Sequence, residues 1–276
     1  MAKTTTVIDS GRNLGLDWRE FLKNRELLYF FTWRNFKIRY KQTLIGAGWA
    51  VFRPFALMVV FTAIFQRTGN LAPGYEDIPY PLFLYSGLLF WTYFAQTTTQ
   101  VGESLLTSQN IIKKIYFPRL IAPVSVAITG LIDFFFSFII YIGLMAYYGV
   151  APGLLGVLMF LPMVLMSFLA VMGVGSFMTA LNVRYRDVRQ ALPFAIQLLL
   201  FLTPVIYSVD FIPQNLQWIL FVNPMAGVVE AMRAGILGVE AINWGFLGIS
   251  VLSLLVILII GLAFFRSQER KVADLI

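Results

Sequence analysis

The chain has 276 residues, 59% hydrophobic and 13% charged, with 21 Lys and Arg against 14 Asp and Glu for a net charge of +7. A mean hydropathy of +0.77 is far from the mix of a soluble domain, roughly 45–50% apolar and 25% charged, so this is an integral membrane protein by composition. It has no Cys and no His, which excludes disulfides, thiolate or imidazole metal sites, Cys nucleophiles and the usual neutral-pH proton shuttle, while cations set beside apolar spans speak against nucleic acid.

Residues 1–10, MAKTTTVIDS, contain no apolar core, so no cleaved signal peptide is expected, and 1–17 read as a flexible cytoplasmic N-terminus. Residues 18–45 carry Trp18, Phe21, Leu22, Leu28 and Phe31 among cations, with Arg34, Lys37 and Lys41 spaced to share a helical face. That pattern predicts an amphipathic helix lying on the inner leaflet and turning down at Gly46 and Gly48. Its bland role is to anchor the N-terminal tail.

Residues 46–265 predict an all-α membrane domain of six transmembrane helices, at roughly 46–66, 82–102, 121–148, 154–181, 191–208 and 244–265. Each has about 20 mainly apolar residues, enough to cross about 30 Å of hydrocarbon at about 1.5 Å per residue. The strict alternation of a β-barrel strand is missing, which leaves helices to satisfy the backbone in lipid.

Several positions within this frame invite chemistry. Arg53 precedes Pro54 in the first span, where its side chain either snorkels to the cytoplasmic headgroups or lines a conduit. The polar loop 103–120, ESLLTSQNIIKKIYFPRL, predicts a helical stretch at 107–116 with Ile111, Ile112 and Ile115 on one side. It is either a short surface helix resting on headgroups or a segment that inserts into a partner's groove. Asp133 is the only carboxylate deep in a span, read as an acid hydrogen-bonded within the bundle or as an ion site. A helical hairpin turns at 149–153, between the third and fourth spans.

The outer region, 208–243, is largely apolar yet interrupted by Pro213 and Pro224, which suits short re-entrant helices. Asn223 and Pro224 supply an N-cap and an N1 proline, with Met225, Val229, Met232 and Ile236 on one face behind them. The aromatics Tyr85, Trp91, Tyr93, Phe94 and Tyr207 lie toward the outer halves of spans. They form an interfacial anchoring belt or, facing inward, flat surfaces for sugar rings. Residues 266–276 form a cytoplasmic tail. Of the Lys and Arg, 18 of 21 fall before the first span, between spans two and three, between four and five, or after the sixth. The positive-inside rule therefore places both termini in the cytoplasm. No Gly-Lys dipeptide occurs, so the phosphate-cradling loop of a P-loop NTPase is absent, and any ATP is bound by another polypeptide.

Five segments in order carry a family resemblance: YKQTLIGAGWAVFRPFALMVVFTAIF (40–65), FLYSGLLFWTYF (83–94), NIIKKIYFPRLIAPVS (110–125), NVRYRDVRQALPFAIQLLLFLTPVIYS (182–208) and NPMAGVVEAMRAGILG (223–238). Together the chain resembles the permease subunit of polysaccharide ABC exporters, of the O-antigen, capsule and teichoic-acid type. The resemblance implies a homodimer in a bacterial inner membrane with two cytoplasmic ATP-binding subunits, which hold the ATP and Mg. It implies no cofactor in this chain, no catalytic residue, and a lipid-linked polysaccharide taken up at the cytoplasmic leaflet. It further implies a coupling helix at 107–118, including Ser108, Asn110, Ile111, Ile112, Lys113, Lys114, Ile115 and Tyr116, that docks on the ATPase. Residues 18–40 become a gate-flanking interface helix and 212–238 the re-entrant outer helices. Arg34, Lys37, Arg39 and Lys41 would then attract the lipid diphosphate, while Arg53 departs from the family's uncharged polar residue. The rival readings are an efflux permease for small lipophilic compounds, a membrane-embedded glycosyltransferase, and a proton-coupled carrier relying on Asp133.

Overall fold

The computed structural model describes residues 23–41, 43, 46, 48–65, 77–114, 117–185, 187–238 and 241–275, with backbone only for 270–275. Every regular element among them is helical: α1 (Arg25–Tyr40), α2 (Gly48–Phe65), α3 (Tyr80–Thr107), α4 (Gln109–Ile112), α5 (Ile121–Tyr148), α6 (Leu154–Arg184), α7 (Val188–Leu202), a 3-10 turn (Val209–Phe211), α8 (Gln214–Leu220), α9 (Pro224–Leu237) and α10 (Trp244–Leu275). The expected flexible N-terminus and the start of the interface helix, 18–22, lie outside the described residues.

The helix ends follow from residue chemistry. Gly149 closes α5 at φ +69°, a left-handed conformation that costs glycine nothing, and Val150 N–H returns to the Met145 carbonyl at 3.0 Å. Asn223 caps α9 as its sequence requires, with Oδ1 accepting from Met225 N–H at 3.0 Å. Gly46, at φ +57°, makes the expected turn between α1 and α2.

Among the described residues, four helices are long and apolar enough to cross a membrane: α2, α5, α6 and the Trp244–Glu269 part of α10. The expected second and fifth spans depart from this. Helix α3 has 28 residues, about 42 Å and ample for a crossing, but it is more polar and carries 18 buried residues. It is the central helix, packed by α5, α6, α2, α9 and α7. Helix α7 has 15 residues, about 22 Å, and is too short to cross as one straight helix. Helices α8 and α9 qualify only as a pair, bent by 112° into a broken span or re-entrant loop. Helix α6 crosses α9 and α10 at glycines: a Cβ on Gly156 would overlap the Gly235 and Ile236 backbone, and one on Gly261 the Gly173 carbonyl.

Candidate functional site

Helix α1 does not merely rest against the bundle. Phe31, 1% exposed, packs with Phe117 and Ile121; Asn35 Nδ2 donates to Ser125 Oγ at 3.1 Å; Arg39 and Tyr40 both donate to the Asp133 carboxylate. Partners advance from Phe31 to Arg39 along α1 and from Ile121 to Asp133 along α5, so α1 runs beside the first three turns of α5 in the same direction. A helix exposing Lys37 and Lys41 cannot sit in hydrocarbon, so those turns belong to the aqueous or headgroup layer. Asp133 thus lies where α1 ends. Just beyond it Ser137 Oγ donates to the Ala50 carbonyl of α2 at 2.9 Å.

Of the two readings of Asp133, the acid bonded within the bundle describes its geometry. It pairs with Arg39, the two side chains being 19% and 23% exposed, and Arg39 also donates to Gln100 Oε1 of α3. Burial, aided by the Asp133 bond, pushes the Tyr40 phenol well above its ordinary pKa, so it stays a donor. Arg39 is therefore turned away from the other three cations assigned to the diphosphate. Arg34, Lys37 and Lys41 instead border a shallow surface hollow of about 410 Å³ on the open face of α1 with Phe30, Trp33 and Ile38. Lys37 Nζ lies 5.4 Å from the Trp33 ring centroid, and Trp33 stacks on Phe36 at 5.7 Å. Arg34 Nη1 is buried with no hydrogen-bond partner among the described residues, and burial lowers the guanidinium pKa. Arg53 is exposed near the start of α2, beside buried Pro54.

The expected helix over 107–116 is shorter than its sequence suggests. Helix α3 runs on to Thr107, Ser108 is buried at the joint, and α4 covers only Gln109–Ile112. Ile111 and Ile112, both half-buried, pack on the Phe31, Phe117 and Ile121 cluster, because apolar side chains beside an uncovered hydrophobic patch close it. The exposed edge is Gln109, Asn110, Lys113 and Lys114, while Ile115 and Tyr116 lie outside the described residues. Arg119 N–H donates to Glu269 Oε1 at 3.3 Å, so the end of α10 joins this cluster.

The aromatic assignments require correction. Tyr85, Trp91, Tyr93 and Phe94 are 0%, 4%, 5% and 3% exposed within a single chain, so pairing two copies cannot uncover them onto a passage. Tyr85 Oη donates to the Ser137 carbonyl at 3.1 Å and its ring stacks on Tyr141; Tyr93 meets Phe134 edge to face. They hold α3 against α5. Tyr207 is half-buried and donates to the Phe201 carbonyl at 3.2 Å.

Arg233, which by sequence is only an outer cation, is fully buried in α9. The signal was present: it follows Val229 by four residues and so falls on the apolar face. Beside it α8, α9 and α10 enclose a small outer cavity of about 150 Å³, its walls including Asp210, Gln217, Glu230, Ala241 and Asn243.

Residues 26–237 match the family model described as ABC-2 type transporter. Among curated relatives, the O-antigen export system permease protein RfbA of Klebsiella pneumoniae is 27% identical over 253 residues, covering 91% of this chain and 95% of the relative. A protein of that name from Myxococcus xanthus is 27% identical over 219 residues, with 78% and 82% covered. The polysialic acid transport protein KpsM of Escherichia coli is 26% identical over 246 residues, with 86% and 91% covered.

Proposed function

Because the chain belongs to the ABC-2 type transporter family, we propose that it is the membrane permease of an ATP-driven exporter of a lipid-linked polysaccharide, an O-antigen or similar surface glycan. The observation that carries the substrate class is alignment over 91% of the chain with a named O-antigen export permease. The complex is a homodimer with two ATP-binding subunits, which supply ATP and Mg, in a bacterial inner membrane. The chain crosses six times with both termini in the cytoplasm: α7 with the segment after it completes the fifth crossing, and α8–α9 re-enters from outside.

The chain's own residues divide the work by chemistry. Arg34, Lys37 and Lys41 share the exposed face of α1 with Phe30, Trp33 and Ile38. A diphosphate headgroup fits that combination: its oxygens accept from the cations while its lipid lies along Phe30, Trp33 and Ile38. Arg53, exposed one helix further on, extends the positive potential toward the first span. The edge of α4 meets the ATPase mainly through the exposed Gln109, Asn110, Lys113 and Lys114, its isoleucines being half-covered by the chain's own core.

Deleting the chain's gene from its host tests the reading. Lipid-linked glycan should accumulate on the cytoplasmic side and vanish from the surface. Unchanged surface glycan, with a lipophilic compound accumulating instead, overturns the substrate assignment.

A further inference from the structure

Arg233 takes no part in the function just described, yet its side chain is fully buried. A guanidinium cannot shed its charge, so burying one is unfavourable unless its donors are answered. Here Nη1 donates to the Pro204 carbonyl at 2.6 Å and the Tyr207 carbonyl at 3.3 Å, Nη2 to the Val205 carbonyl, and Nε to Ser86 Oγ at 3.4 Å. The Phe83 ring centroid lies 3.7 Å from Cζ, and Glu230 Oε2 is 3.9 Å from Nη1.

These partners come from three elements. Phe83 and Ser86 belong to the first turns of α3, and Glu230 to α9 itself. Residues 204–207 follow the end of α7, where Pro204 prevents the helix from continuing and carbonyls are left without helical donors. The negative end of the α7 dipole favours a cation at this place. Gly87 makes the room: a Cβ there would stand 2.5 Å from Nη2. A second tie joins the hairpin to α7, since Asn223 Nδ2 donates to Thr203 Oγ1 at 2.7 Å.

The same two helices also meet at their opposite ends. Glu103 of α3 and Arg189 of α7, both well exposed, approach to 3.7 Å less than two turns from α4, a contact that adds little hold of its own. Helices α3 and α7 therefore form a strut running from the α4 edge to Arg233, packed along its length and fastened at the Arg233 end.

We propose that Arg233 is the positioning residue that fastens the outer hairpin α8–α9 to this strut, so that displacement of α4 by the ATPase reaches the outer face as movement of the hairpin. The proposal rests on the reading of the chain as an ATP-driven permease. Without the guanidinium the strut still moves, but the lone Asn223–Thr203 bond does not carry that movement to the hairpin.

The test uses the full permease reconstituted with its ATP-binding subunit. The chain contains no Cys, so Ala241→Cys in the cavity wall gives it a single labelling site, read on the permease band by impermeant maleimide with ATP or with a non-hydrolysable analogue. With Arg233 in place, labelling should differ about fivefold between the two states, a common size for coupling between sites. In Arg233→Met the difference should vanish and glycan export should fall about tenfold or more, while ATP hydrolysis stays within about twofold of native. Arg233→Lys, keeping one donor group and the charge, should fall between. Native-level export by Arg233→Met, or labelling that still follows the nucleotide, overturns the proposal. Should Arg233→Met fail to reach the membrane, Gly87→Ala decides, because it displaces the guanidinium without removing its charge: lost nucleotide dependence supports the pin and retained dependence refutes it. A native complex that ignores nucleotide altogether overturns the permease reading and the pin with it, whereas a responsive native and a responsive Arg233→Met sink the pin alone.

Discussion

Removing Arg39 should loosen α1 from the bundle by an amount that can be worked out. Arg39→Met leaves the Asp133 carboxylate with the Tyr40 hydroxyl alone and strips Gln100 Oε1 of its donor. With the pair's side chains 23% and 19% exposed, neither the ~0–1 kcal/mol of a surface pair nor the 3–5 kcal/mol of breaking a buried one applies, and about 2 kcal/mol is the intermediate value. At 1.4 kcal/mol per tenfold, the detached population of α1 should rise about 30-fold. Hydrogen exchange over residues 31–41 measures this directly, as a drop of that size in protection, while the α6 amides serve as an unchanged internal standard. Arg39→Met with Asp133→Met should recover most of the loss, because it leaves no uncompensated charge. Native exchange rates in the single variant, or a double variant as exposed as the two singles combined, would show that the ion pair does not hold the helix.

Reversing Lys113 and Lys114 to Glu should cut ATP hydrolysis coupled to transport in the assembled complex, with the purified permease unchanged in melting temperature; unaltered coupling would move the docking surface elsewhere. Arg34→Ala with Lys37→Ala should raise the substrate concentration needed for half-maximal ATPase stimulation about tenfold, since each charge-assisted phosphate contact is worth about 1.5–3 kcal/mol in full and less at a groove open to water; an unchanged half-maximal concentration removes the headgroup from this groove. Trp91→Ala should cost about 3–5 kcal/mol of stability, read as a lowered thermal midpoint in detergent, because it empties a core position. A variant that keeps its midpoint but changes glycan preference would restore the ring to a passage.

Much of the organisation is legible before any coordinates. The turn at Gly149, the Asn223 cap and the break at Gly46 depend on residues whose backbone preferences are local, and each is found where the sequence implies. The amphipathic start, the missing ATP loop and the short outer helices are likewise statements about nearest neighbours along the chain. Which face a side chain presents is another matter. Arg34 and Arg39 read as members of one basic run, yet α1 docks so that one borders an open groove and the other seals against Asp133. Tyr85 and Trp91 have the composition of an interfacial belt, and only their place on the central helix makes them core.

The sequence alone determined that this chain lives in a bilayer as helices, because hydropathy over a span and the cost of unpaired backbone in lipid are additive, local quantities. Tertiary structure alone decided what the buried charges do. Asp133 finds its partner 94 residues away on α1, and Arg233 gathers carbonyls from 26 to 29 residues upstream together with Ser86, 147 residues upstream. Pairings of that range depend on which helices lie side by side, and no periodicity within a single helix records its neighbours.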